Sequence, residues 1–309
     1  MQNDPPPFDR PPSAPGGAVG AVPHRPDPAG FETAFGQPRN SLNHRFVYAV
    51  ISQRARGLSI GVSLTPDKRC NFDCVYCEVN RDEPGSGTVV DLRVLGAELA
   101  GLLRVVAEGK LRGYACFRNL PSELLQLKEV ALSGDGEPTL CPNFTEAVRE
   151  VVRIRQGGEF PAFKIVLITN ATTLEKPEVM RGVDLLEASD EIWAKLDAGS
   201  ESYMNRINRP EVSLSHVLAN ILTLAKRRPI IIQSLFPLVK GVEPPGSEID
   251  QYVRRLKELK DAGAKIAMVQ VYSAHRPPHR PDCAHLPLRS LSAIARRVWE
   301  TTGLKAEVF

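Results

Sequence analysis

No apolar run in the 309 residues approaches the roughly 20 that a membrane-spanning helix needs. The N-terminus also lacks the basic-then-apolar pattern of a secretory signal, so no membrane partner is expected. Neither sign of charge dominates. Lys and Arg number 39 against 36 Asp and Glu, a formal net charge of +3, which neither demands nor excludes a nucleic-acid partner. Cysteine is scarce: six in all, three of them crowded between positions 70 and 77. That distribution is not a disulfide framework and suggests a reducing, cytoplasmic setting. The composition does allow a core of useful size, with 42% hydrophobic and 24% charged residues. The length suits one large domain or two small ones, and α/β barrels often use this much as one.

Residues 1–40 differ from the rest. The run DPPPFDRPPSAPGGAVGAVPHRPDPAG is rich in Pro and Gly and has no apolar period. Such a segment buries too little surface to offset the entropy of ordering, so a disordered or extended tail is expected there, with the folded domain over 41–309. From Arg45 onward, β-rich runs alternate with helical patterns. The runs are LSIGVSL (58–64), EVALS (129–133), KIVLIT (164–169), EIWAKL (191–196), PIIIQSLF (229–236) and KIAMVQVY (265–272). Most are apolar at consecutive positions, which fits strands covered on both faces. Leu92, Leu95, Leu99, Leu102 and Val106 recur at helical spacing, with Gly109 as a stop. Ile249, Val253, Leu256 and Leu259 form a second stripe, with Ser247 as N-cap and Gly263 at C′. Residues 143–154, 174–187, 214–228 and 288–302 are further helices. Six strands alternating with six helices predict an α/β fold: a partial (βα)6 TIM-like barrel of parallel strands with outer helices. A doubly wound open sheet is the alternative.

In either form ligands bind at the carboxyl ends of the strands. The segments that follow the six strands are CNFDCVYC, SGDGEP, TNATT, DAGSESYMNRINRP, PLVKGVEP and SAHRPPHRPDCAH. These hold most of the unusual chemistry in the chain. Cys70, Cys74 and Cys77 supply three soft thiolates, suited to an iron–sulfur cluster or to zinc. A zinc knuckle would need a fourth ligand from Cys116, Cys141, Cys283 or a histidine. A four-iron cluster on three cysteines leaves one iron free for another ligand. In SGDGEP, Gly134 and Gly136 allow close backbone approach, and Glu137 can accept from an ammonium, with Asp135 sharing that role. Asn170 and Asp197 close the third and fourth strands, as ligand contacts or as turn caps. Lys195, inside the fourth strand, can clamp a carboxylate or act as a base. Arg209, in INRP, suits a carboxylate or phosphate. His275, His279, Cys283 and His285 stand close enough in sequence to gather a metal, but their prolines favour a lid or connecting loop.

CNFDCVYC followed by SGDGEP resembles the radical S-adenosylmethionine (SAM) superfamily. The resemblance implies a [4Fe–4S] cluster on Cys70, Cys74 and Cys77, whose open iron binds the amino and carboxylate groups of SAM. It implies Tyr76 near the adenine, the Gly134–Glu137 loop on the SAM amine, and Asn170, Asp197 and Arg209 at SAM or substrate. It further implies reductive cleavage of SAM to a 5′-deoxyadenosyl radical that takes hydrogen from a substrate. The electron would come from a reductant such as flavodoxin or ferredoxin. The wider set, RARGLSIGVSLTP, CNFDCVYCE, SGDGEPTL, ITN, WAKLDAG and INRP, resembles the branch that contains the wybutosine-synthesis enzymes. That branch implies tRNA as partner and a core barrel with a C-terminal extension, over about Arg45 to about Pro278. Its tRNA enzymes carry further cysteines ahead of the core, whereas here no cysteine precedes Cys70. Outside this class stands a non-catalytic, zinc-stabilised interaction module.

Overall fold

Asp91 opens the first long helix by accepting hydrogen bonds from the backbone N–H groups of Arg93 and Val94. This N-cap satisfies two of the donors that a helix start leaves orphaned. The helix closes at Gly109, whose φ of 68° lies in the left-handed region. Such local signals recur along the computed structural model, which describes residues 34–36, 42–83, 85–274, 278–279 and 283–309. The elements are β1 (Val47–Ser52), β2 (Gly57–Val62), α1 (Leu92–Ala107), β3 (Leu127–Leu132), α2 (Phe144–Gln156), β4 (Lys164–Thr169), α3 (Pro177–Val183) and β5 (Glu191–Lys195). Then come α4 (Glu201–Ile207), α5 (Leu214–Arg227), β6 (Ile230–Leu235), β7 (Pro237–Val239), α6 (Gly246–Asp261), β8 (Ile266–Tyr272), β9 (Cys283–His285), α7 (Leu288–Thr302) and β10 (Ala306–Val308).

One eight-stranded sheet runs in the order β1-β2-β3-β4-β5-β6-β8-β10. All its pairings are parallel except β1 with β2. The sheet curls into a half-barrel with helices around it, so the partial TIM-like barrel is observed and the flat doubly wound alternative is not. The six runs expected as strands are β2, β3, β4, β5, β6 and β8. Their outward residues, such as Val130, Leu132, Ile165, Leu167, Ile192 and Ile232, join the helices in the main core. Their inward residues Ala131, Val166, Trp193 and Ile231 form a separate small cluster in the lumen. Both faces are thus covered, which explains why these strands read as continuous apolar runs.

Two expectations change, at the start of α6 and at the edges of the sheet. Ser247 lies inside the first turn of α6, and Pro245 occupies the N-cap position. The carboxylate of Glu248 in that turn accepts instead from the backbone N–H groups of Gly199 (2.5 Å) and Ser200 (3.2 Å). Within the tail expected over 1–40, only 34–36 are described. Ala34 is buried there, and its carbonyl accepts from the N–H of Ile51 at 2.7 Å. The remainder of the tail lies outside the described residues. Finally, β1 precedes the six-strand pattern and β10 follows it, extending the sheet at both edges. No helix among the described residues is long and apolar enough to cross a membrane.

Candidate functional site

Because β2 to β8 run parallel, their carboxyl ends share one rim, and the loops beyond them meet there. A cavity of about 610 Å³ opens at that rim and extends into the lumen. Cys70, Cys74, Cys77, Gly134, Gly136 and Glu137 line its upper part.

The cysteine loop is held by backbone pairing with the INRP segment. Asp73 N–H donates to the carbonyl of Asn208 (2.9 Å), Val75 N–H to that of Ile207 (2.8 Å), and Glu211 N–H to that of Asn71 (3.0 Å). On its other side, Glu137 N–H donates to the carbonyl of Arg69 at 2.9 Å. This contact is what requires glycine at 136: a Cβ there would lie 2.0 Å from the same carbonyl oxygen. At Gly134, with φ of 139°, a Cβ would strike Ser63. Both glycines therefore let two loops of the chain close on each other, and both also line the cavity.

Hydrogen bonds reach the sulfurs from around the loop. Cys70 Sγ accepts from Phe72 N–H at 3.4 Å and from Asn170 Nδ2 at 3.9 Å. Cys74 Sγ accepts from Asn208 Nδ2 at 3.4 Å. Burial, with the charge of Glu137, pushes the Cys70 thiol up to about 12. Burial likewise pushes Cys74 up to about 11, against the opposing pull of Lys195. As bare thiols both are protonated at neutral pH, and it takes a metal to hold them as thiolates. Among the described residues, no three His, Cys, Asp or Glu side chains converge tightly enough to share one metal ion. Tetrahedral zinc draws its sulfurs to about 2.3 Å from one centre. A cluster seats each thiolate on a different iron.

Glu137 is buried and lines the cavity. Its Oε1 accepts from Thr139 N–H (3.2 Å), Thr139 Oγ1 (2.5 Å) and Thr169 Oγ1 (2.6 Å), and its Oε2 from Asn170 N–H (2.7 Å). All four donors are neutral, and no cation pairs with it among the described residues. Burial holds its carboxyl above the usual range. Oε2 accepts only one hydrogen bond, so this buried carboxylate keeps acceptor capacity that suits an incoming ammonium.

Other expected residues are placed differently. Asp197 is buried but does not line the cavity. Its Oδ2 accepts from the hydroxyl of Tyr76 and from Asn208 Nδ2 (2.9 Å), and lies 3.4 Å from Lys195 Nζ. Its Oδ1 accepts from Leu235 N–H at 2.8 Å. With both oxygens used, Asp197 is a hub that positions neighbours, not a free ligand contact. Tyr76 does line the cavity. Burial and the charge of Asp197 keep its phenol protonated as a donor. Lys195 lines the cavity beside it, 5.2 Å from the Tyr76 ring. Burial pulls its ammonium down, yet Asp197 and Tyr272 outweigh that and hold it above its ordinary value. It is a fixed cation rather than a base.

Asn170 lines the cavity, but its amide is spent within the protein. It donates to Asn71 Oδ1 (2.8 Å) and accepts from Thr172 N–H and Oγ1 (3.1 and 2.8 Å). It thereby ties the cysteine loop to the loop after β4. Arg209 lies outside the cavity, pairing with Asp73 at 3.2 Å on the surface. Asp135 is also absent from the lining. Proline 210 and the strained backbone of Arg209 (φ 45°) shape a brace for the cysteine loop, not a ligand clamp. Asn208, whose amide reaches Cys74, Tyr76 (2.8 Å) and Asp197, is the central side chain that sequence reasoning left out of the site. Its only signal was its place before Arg-Pro.

Of the residues suggested for a second metal, His275 lies outside the described residues. His279 pairs with Asp82 at 2.9 Å, and its N–H donates to the carbonyl of Cys77 at 2.8 Å. Cys283 and His285 belong to β9, paired with β7. The segment 278–279 thus lies against the cysteine loop, as a connecting loop over the rim would.

No family model matches the chain. It is 22% identical over 271 residues to a UPF0026 protein of Helicobacter pylori, covering 83% of this chain and 80% of the relative. It is 29% identical over 180 residues to the UPF0026 protein slr1464 of Synechocystis, 57% of this chain and 58% of that one. Among solved structures, TYW1 with a lysine-pyruvate adduct bound aligns with a TM-score of 0.54 at 16% identity, over 84% of this chain and 85% of that chain. SuiB of Streptococcus suis bound to S-adenosylmethionine aligns with a TM-score of 0.55 at 13% identity, over 83% of this chain and 52% of SuiB. These likenesses are of fold: the half-barrel of this chain is similar to those of TYW1 and SuiB.

Proposed function

We propose that this chain is a radical SAM enzyme that holds a [4Fe–4S] cluster on Cys70, Cys74 and Cys77 and cleaves SAM reductively. One observation carries the reading. Three cysteine thiols line the same cavity as Glu137, a buried carboxylate with spare acceptor capacity and no cation partner among the described residues. An iron–sulfur pocket and an ammonium pocket thus face one space at the strand ends. When bound, the cluster would supply one electron to the sulfonium of SAM, releasing methionine and a 5′-deoxyadenosyl radical that takes hydrogen from a substrate.

The protein's share is to bind, orient and exclude water. Glu137 neutralises the amino group of SAM. The Asn71–Asn170–Thr172 bonds and the INRP pairing fix the cysteine loop. Asn208 and Asn170 donate toward cysteine sulfurs, which favours thiolate and tunes the reduction potential. Tyr76, held by Asp197, gives one wall for the adenine. A flavodoxin- or ferredoxin-type protein is the natural class of electron donor. The pool of near-balanced charge and the lack of cysteines before Cys70 favour a reaction other than that of the wybutosine enzymes.

Anaerobic reconstitution of the full chain with iron and sulfide tests this. The expected product is a brown protein with about four irons per chain that releases 5′-deoxyadenosine when given dithionite and SAM. Cys74→Ala should abolish the release. A colourless protein holding one tightly bound zinc would overturn the reading.

A further inference from the structure

Below the cysteine loop the cavity continues into the lumen, where Arg54 and Glu129 line it. Nothing in the SAM site uses either residue. Arg54 sits in the turn between β1 and β2, at the amino end of the parallel strands. Its guanidinium carbon lies 4.6 Å from the Tyr272 ring centroid and 5.8 Å from that of Trp193. The cation is therefore held against aromatic faces inside the lumen, and its Nε is buried without a partner. Glu129, on β3, is 1% exposed. Its Oε1 accepts from Ser59 Oγ at 3.1 Å, while its Oε2 is buried with no hydrogen-bond partner. The nearest cation, Lys164 Nζ, is 4.0 Å away and is engaged at 2.7 Å by Glu191.

An unmade donor and an unmade acceptor facing the same enclosed space cost the fold stability, since buried polar groups are almost always satisfied. Each loss is recovered if a ligand supplies the complementary group. Arg54 offers a planar fork suited to a carboxylate. Glu129 offers an acceptor suited to an ammonium. Arg54 and Glu129, which both line the cavity, are one cation and one carboxylate, so a zwitterion leaves their balance unchanged, whereas a doubly charged phosphate brings charge that Glu129 opposes. Burial holds the Glu129 carboxyl above its usual range, which an arriving ammonium would offset.

We propose that the part of the lumen lined by Arg54 and Glu129 is the substrate subsite and that it takes a small zwitterion of amino-acid type, its carboxylate on Arg54 and its ammonium on Glu129. This rests on the radical SAM reading for its chemistry, because the bound molecule would then project toward the cysteine end of the same cavity. A tRNA base entering from the rim carries neither a carboxylate for Arg54 nor an ammonium for Glu129 and would leave both groups unused.

The two tryptophans make the test direct. Trp193 lies at the subsite, whereas Trp299 on α7 is 63% exposed. In the cluster-loaded full chain carrying Trp299→Phe, Trp193 is the sole indole reporter. Its fluorescence is followed on titration with a panel of free amino acids, and with acetate, methylammonium and inorganic phosphate. At least one amino acid should give a saturable response at least tenfold tighter than acetate, methylammonium or phosphate. Arg54→Gln should weaken that binding at least tenfold, Arg54→Lys less, and Glu129→Gln should weaken amino-acid binding while leaving the acetate response intact. Far-UV circular dichroism and thermal unfolding of Arg54→Gln should match the wild type, which shows that the variant is folded. Equal titrations in wild type and Arg54→Gln, a preference for phosphate, or no response to any amino acid would overturn the proposal. Failure of cluster loading and SAM cleavage would instead overturn the enzymatic reading, and the Trp193 titration would still report on the subsite.

Discussion

Glu137 is the residue on which the cofactor reading turns, and its ionisation has a measurable sign. Burial raises its carboxyl pKa in the folded chain, whereas in the unfolded chain it titrates near the ordinary value. The folded state therefore binds the proton more tightly. Its contribution to stability is fully present below the unfolded pKa and is lost as pH rises through the folded one. In ligand-free protein, stability should fall across that interval, and Glu137→Gln should remove this part of the slope. Thermal unfolding of both proteins across the acidic range, compared as a difference, checks it. An identical slope would mean that the carboxylate is not paying for burial in the native state. The same variant should bind SAM more weakly by about 1.5–3 kcal/mol, the worth of a hydrogen bond to a charged group.

At the scale of elements, the site depends on loops that grip each other. Gly136→Ala would place a methyl 2.0 Å from the Arg69 carbonyl oxygen. Backbone cannot swing aside as a side chain can, so a loss of roughly 1–3 kcal/mol is expected, measurable by urea unfolding, together with poorer iron retention. The sequence showed which loops carry chemistry, because C-x3-C-x2-C and G-x-G-E are local patterns on adjoining strand ends. It did not show their mutual support. INRP looked like a ligand clamp because Arg next to Pro has no obvious packing role. The brace it forms becomes visible only once Asn208 and Ile207 stand beside Asp73 and Val75. The missed elements have similar causes. The helix α4 has seven residues, too few for a clear period, and β10 has three, ordered by pairing with β8. Glu129 lies within a run read as a strand, but which face of the pleat looks into the lumen depends on how the whole sheet curls.

For the whole molecule, six of the eight strands in the main sheet were legible because each alternates between two buried environments and so reads as apolar throughout. Burial on both faces also joins the site to global stability. A ligand that binds only the folded, cluster-loaded chain raises stability by about 2.7 kcal/mol at a hundredfold excess over Kd, a shift of several degrees in Tm. SAM should produce that rise in the reconstituted wild type and none in Cys74→Ala. A rise of equal size in both would place SAM somewhere other than against the cysteine loop.

Strand β2 has one more consequence. Arg54 stands shortly before it and the cysteine loop follows it, so one six-residue strand, about 20 Å long, links the two. Because that strand is paired with β1 on one edge and β3 on the other, adding or removing a pair of residues in it would move Arg54 relative to Glu129 as well as relative to the cysteine loop.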